Sequence, residues 1–217
     1  VIPTKSGPLQ IIALPWIRRG GVLQQEEHQG VTIDDLAKYI EQELTDRIQT
    51  EVSKLNATIP SVLAAHVTVA GAITSSEQSM MLGRDYILQR SNIASPSIDY
   101  IGLGHIHRHQ ILNEHPPVVY PGSLERVDFS EENDTKGFCM VNIDPELPQG
   151  SRTEWAFIPV TSRRFVSITS TVSSDSLDPT EQVLEQIANE HISDSVVRVN
   201  ITIPEPLAPS LNELKIR

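Results

Sequence analysis

Three histidines stand where chemistry is expected. His66 ends the apolar run Ser61-Val62-Leu63-Ala64-Ala65, and His105 and His107 end the run from Ile98 through Gly102-Leu103-Gly104. Both runs read as buried strands, and in open α/β sheets ligands bind outside the carboxyl ends of strands. In extended backbone the side chains of alternate residues share a face, so the imidazoles of His105 and His107 point to one side. Gly102 and Gly104 remove side-chain bulk just before them. Neutral imidazole is the commonest metal ligand, and converging rings suit zinc, manganese or iron. The competing reading is structural, because a lone strand-end histidine is more often packed or solvated than bound to metal. His109 shares the face of His105 and His107 only if the strand continues, and Arg108-His109-Gln110 reads as the start of a loop. His28, His115 and His191 lie in polar surroundings and read as solvated.

A second group of residues suits an anion. Val119-Tyr120-Pro121-Gly122-Ser123 reads as a strand closing in a tight turn. The backbone N–H groups of Gly122 and Ser123 are candidates to face a phosphate, or else the turn simply reverses the chain. Arg126 near that rim, and Arg163 and Arg164 further on, are candidate contacts to a nucleic-acid backbone, with ordinary solvated surface as the alternative.

These residues need elements to hold them. Residues 9–16 read as a strand stopped by Pro15, and the polar stretch from Arg18 to Gly30 as a loop. Ile33, Leu36, Ala37, Ile40, Leu44, Ile48, Val52 and Leu55 follow helical spacing, with Thr32 as N-cap and Asp34 and Asp35 in the first turn. The spacing predicts a further helix near residues 84–90. Strands are predicted at 98–107, 116–123, 137–143 and 154–159. From Arg163 the order becomes strand (165–172), helix (179–190) and strand (196–203), the helix signposted by Asp178 as N-cap, Pro179 at N1 and Glu181 at N3. The fold class expected is α/β, with domains at residues 1–159 and 160–217, the second a small β-α-β unit.

Composition narrows the function classes. The chain has 217 residues, a single cysteine (Cys139) and a formal net charge of −11. One cysteine allows no internal disulfide and no cysteine-based zinc site, which points to a reducing, cytoplasmic setting. No apolar run approaches a membrane span. The acidic balance argues against tight non-specific DNA binding, although a local basic or metal-lined groove is compatible with it. The chain starts with Val1-Ile2-Pro3 and has no initiator Met, which suggests a piece of something longer.

The order of motifs carries a resemblance. Leu63-Ala64-Ala65-His66-Val67-Thr68-Val69 comes first, and Asp99 through Gly104-His105-Ile106-His107 follows. Val119-Tyr120-Pro121-Gly122-Ser123-Leu124-Glu125-Arg126 and Lys136-Gly137-Phe138 complete the series. Together they resemble the calcineurin-like metallophosphoesterases, and within them the SbcD-like DNA double-strand-break repair nucleases. The resemblance covers most of residues 9–217. It implies part of a metallophosphoesterase β-sandwich flanked by helices, plus a capping, DNA-binding domain. For the intact parent it implies metal-dependent exonuclease and endonuclease hydrolysis of DNA, with two divalent cations, manganese being the expected metal. DNA, an SbcC-type ATPase subunit and a second copy are the implied partners.

In that family His66 and His105 would sit on one metal and His107 on the other, where two metals clamp the attacking and leaving oxygens. The family's earlier Asp-x-His and Gly-Asn-His-Asp motifs do not occur here. The expectation is therefore the C-terminal portion of such a nuclease, inactive alone, its three histidines capturing at most one zinc or nickel ion weakly. Two alternatives stand beside it: a non-catalytic module that binds DNA or a partner, and a metallophosphoesterase acting on small phosphodiesters.

Overall fold

The longest periodic segment forms the longest helix. In the computed structural model, which describes residues 1–16, 32–74 and 86–217, α1 spans Ile33–Ser53. The Thr32 hydroxyl accepts from the Asp35 N–H at 3.2 Å, and Asp34 and Asp35 place negative charge in the first turn, where the helix dipole favours it. Leu36, Ile40, Leu44 and Ile48, four apart along one stripe, are each at most 2% exposed. They pack with Leu14, Leu63, Ala65, Ile101, Leu103, Val118 and Tyr120 into one hydrophobic core.

The chain divides into two compact units, one of residues 1–124 and 134–161 and one of residues 125–133 and 162–217. The first holds a six-stranded sheet built from β1 (Ile2–Thr4), β2 (Gly7–Leu14), β3 (Ser61–His66), β6 (Tyr100–Gly104), β8 (Pro117–Tyr120) and β7 (Gln110–Glu114), in that order. β2, β3, β6 and β8 run parallel, and β1 and β7 are antiparallel edges. Register pairs Leu63 with Ile101 and His66 with Gly104. The parallel strands therefore finish at one end, and His66 and His105 sit there together. A hairpin of β9 (Gly137–Ile143) and β10 (Thr153–Pro159) belongs to the same unit.

Arg152, just before β10, is 2% exposed and fastens that hairpin to the sheet. Its guanidinium meets both oxygens of buried Asp99 at 2.6 Å. It also donates to the carbonyls of Ala57 at 3.0 Å and Ile59 at 3.3 Å. Asp99 further accepts from the Ser61 N–H at 2.7 Å and its hydroxyl at 3.1 Å.

The helix predicted near residues 84–90 is different in the structure. Residues 84 and 85 lie outside the described residues, Ile87–Leu88 forms β5, and only Arg90–Ile93 is helical (α2). β5 pairs in parallel with β4 (Thr68–Val69), and that tertiary pairing overrides the local preference. The predicted loop at residues 18–30, with Arg18, Arg19 and His28, lies outside the described residues.

In the second unit β11 (Arg164–Thr171) and β12 (Ser195–Thr202) pair in parallel along eight residues each. The crossover is α3 (Pro179–Ala188), whose N-cap Asp178 accepts from the Glu181 N–H at 3.0 Å. Val183 of α3 is buried, as are Ile168 and Val172. A short α4 (Glu213–Ile216) follows. The architecture is mixed α/β, with several β-sheets flanked by helices. No helix among the described residues is long and apolar enough to cross a membrane.

Candidate functional site

The carboxyl ends of the parallel strands gather an aromatic and imidazole cluster. Trp16, two residues past β2, stacks on His105 with ring centroids 4.8 Å apart and planes at 23°. Its other ring neighbours are Tyr86, stacked at 5.2 Å, and His66, edge-on at 5.9 Å. His66 and His105 lie 5.3 Å apart with their planes at 63°. Gly104 makes this possible: a Cβ there would stand 2.9 Å from His66 Nδ1. His105 itself takes φ +97°, in the region that side chains rarely adopt, so the chain leaves β6 through a strained residue.

Electrostatics agree with this proximity. His66 is held below the ordinary imidazole range, by burial first and then by the charges of His105 and His107. Positive charge on either neighbour disfavours the protonated form of His66.

The His107 segment is fixed through its backbone. Its carbonyl oxygen accepts from Lys136 Nζ and from the Ser123 N–H, each at 3.1 Å. Lys136 is fully buried, and its ammonium lies 3.8 Å from Asp134, which also pairs with Arg108 at 3.1 Å. Gly122 adopts φ +83°, and a Cβ on it would fall 2.7 Å from the His107 carbonyl oxygen and 2.9 Å from the His109 nitrogen. Glycine is required there by both conformation and space.

His109 does not point toward the cluster. Its Nδ1 donates to the Tyr120 carbonyl at 2.9 Å and its ring stacks on Phe157 at 4.0 Å. It lies just before β7 (Gln110–Glu114), outside any strand, as the loop reading of Arg108 and His109 expects.

The arginines of the second unit are engaged with their own surroundings. Arg126 donates to the carbonyls of Glu131, Glu132 and Arg163 and to the Ser162 hydroxyl. Arg163 lies 3.7 Å from Asp194, and Arg164 donates to the His191 carbonyl. The Ser167 hydroxyl, and after it the Ser167 N–H that donates at 2.9 Å, hold the Glu132 carboxyl below the usual range. Cys139 offers no activated nucleophile, since burial pushes its thiol up.

Trp16 and Lys136 stand at the site without a motif or spacing that marks them as site residues. Trp16 carried a usable signal, because it follows a strand that ends at the same edge as His66. Nothing in the sequence marks Lys136 as buried.

The geometry corrects the metal-site expectation. Among the described residues no group of three or more His, Cys, Asp and Glu side chains is placed to hold a metal ion. His66, His105 and His107 share a neighbourhood, but the His105 face lies on Trp16 and the His66 ring meets its neighbours at steep angles. Ring stacking, rather than lone pairs aimed at one point, organises the cluster. This overturns the late histidine ligands of a two-metal centre, the manganese pair and the single weak zinc or nickel. With them falls the reading of the chain as a metal-dependent hydrolase, whether exonuclease, endonuclease or other metallophosphoesterase. No protein-family model matches the chain.

Proposed function

We propose that this chain is a non-catalytic module that binds a partner protein. One observation carries the reading: the residues best spaced for chemistry form an aromatic–imidazole stack that holds strand ends together. The formal charge of −11 favours a protein partner over a nucleic-acid backbone. An origin in the SbcD-like scaffold is part of this reading, with a partial metallophosphoesterase β-sandwich and a small β-α-β cap as its finer fold. The order of the parallel strands, with histidines at their carboxyl ends, supports that origin. An SbcC-type ATPase is the partner that such an origin implies.

The test is hydrolysis of bis(p-nitrophenyl) phosphate and of linear duplex DNA by the purified chain with added manganese. Duplex binding is followed alongside by fluorescence anisotropy across a salt series. No turnover, and no duplex binding at physiological salt, are expected. Manganese-dependent turnover that disappears in His105→Ala would overturn the reading.

A further inference from the structure

β2 is protected along only part of its outer edge. β1 pairs with Gly7, Pro8 and Leu9, and no described strand pairs with residues 10–14 on the side away from β3. Those residues, Gln10-Ile11-Ile12-Ala13-Leu14, contain no charge, proline or bulge. Proteins usually guard an edge with such devices, and an unguarded flat edge accepts another strand.

Both sides of this edge are shaped for an added strand. On one side a groove of about 640 Å³ runs between the strand and α1, lined by Ile12, Leu14, Leu44 and Ile48 with Glu43 and Asp46 at its rim. On the opposite side Ile11 is 42% exposed and Ala13 is exposed as well. Successive side chains of an added strand would enter the groove and the Ile11 side in turn.

Charge selects the occupant. Of the charged residues that line the groove, Glu43, Asp46 and Glu51 are acidic and Arg47 is basic, so its wall is acidic on balance. Glu43 is bridged by Arg47 at 2.7 Å, whereas Asp46 accepts from the neutral Gln42 side chain at 2.9 Å. A second copy would bring a second acidic helix to the same place, and like charges oppose that pairing.

We infer that residues 10–14 of β2 and the α1 groove receive an extended segment of a basic partner, in which lysine or arginine alternates with aliphatic residues. The long basic side chains lie with their stems along the half-buried Ile12 and their charged heads at Glu43 and Asp46. The aliphatic residues extend the apolar surface of Ile11 and Ala13. Main-chain hydrogen bonds supply affinity and the alternating side chains supply specificity, as in other strand additions. This inference rests on the partner-binding reading above and names the site and chemistry of that partner.

The probe is a fluorescein-labelled heptapeptide of alternating lysine and valine. It is compared with a glutamate–valine counterpart and with two lysine peptides, N-methylated at the odd-numbered or at the even-numbered amides, one for each strand edge. The lysine peptide is expected to bind at least tenfold more tightly than the glutamate peptide, and N-methylation on the pairing edge to abolish binding. Glu43→Lys/Asp46→Lys should weaken the lysine peptide at least tenfold at unchanged melting temperature. Equal binding of both peptides, binding that survives both N-methylation patterns, or no binding overturns the inference. So does a dimer of the chain alone, seen by sedimentation and lost in Ala13→Glu, because the occupant is then a second copy. Manganese-dependent hydrolysis is measured on the same preparation. Turnover there removes the underlying reading, whereas absent turnover with absent peptide binding removes only the edge site.

Discussion

Replacing Arg152 with methionine tests how the β9–β10 hairpin is held. The change removes a guanidinium that is 2% exposed and leaves the Asp99 carboxylate, 3% exposed, without its two 2.6 Å contacts. It also strips the donor from the Ala57 carbonyl, while the Ile59 carbonyl keeps Gln10 Nε2 at 3.0 Å. Breaking a buried pair from one side costs about 3–5 kcal/mol, because the remaining charge stays buried without compensation. Asp99 keeps the Ser61 N–H and hydroxyl, which places the expected loss near the lower end, about 3 kcal/mol. At about 2–4 °C per kcal/mol for a chain of this length, the midpoint should fall by roughly 6–12 °C. Urea and thermal unfolding followed by circular dichroism measure it. Arg152→Met/Asp99→Asn removes both charges and should cost less than the sum of the two single changes. A single variant within about 1 kcal/mol of the parent, or a strictly additive double variant, would refute a strongly coupled pair.

Other outcomes follow from local geometry. Gly122→Ala forces a side chain into a left-handed conformation against the His107 carbonyl and should cost about 1–3 kcal/mol in urea unfolding. Asp178→Ala removes the cap of α3 and should cost about 1 kcal/mol. The lowered His66 value means that the unfolded chain takes up a proton the folded chain resists. Stability should therefore fall as pH drops below about 6.5, and rise as pH increases through that window. His66→Gln should flatten this slope, and an unchanged slope would assign it to other groups.

Much of the scaffold was legible because its signals are local. The caps at Thr32 and Asp178, the stripe from Leu36 to Ile48 and the apolar runs before His66 and His105 all state their element in a few adjacent residues. β7 was not legible, since Gln110-Ile111-Leu112-Asn113-Glu114 becomes a strand by pairing with β8. β5 likewise exists through its pairing with β4. At the site, the positions of the histidines could be read but the direction of their rings could not. That direction depends on Trp16 lying against His105, on the room above Gly104, and on the positive φ of His105. None of these is encoded within a short window.

The parallel core has a kinetic consequence. β2 ends at Leu14 and its partner β3 begins at Ser61, while β6, the next strand, starts at Tyr100. Each pairing closes a long loop before its contacts can repay the lost chain entropy. A nascent chain therefore exposes several sticky apolar strands at once until the last partner arrives, and folding of such a non-local topology is slow compared with a helical bundle of equal size. Unpaired strand edges and apolar surface exposed during that interval are what make such intermediates prone to aggregate.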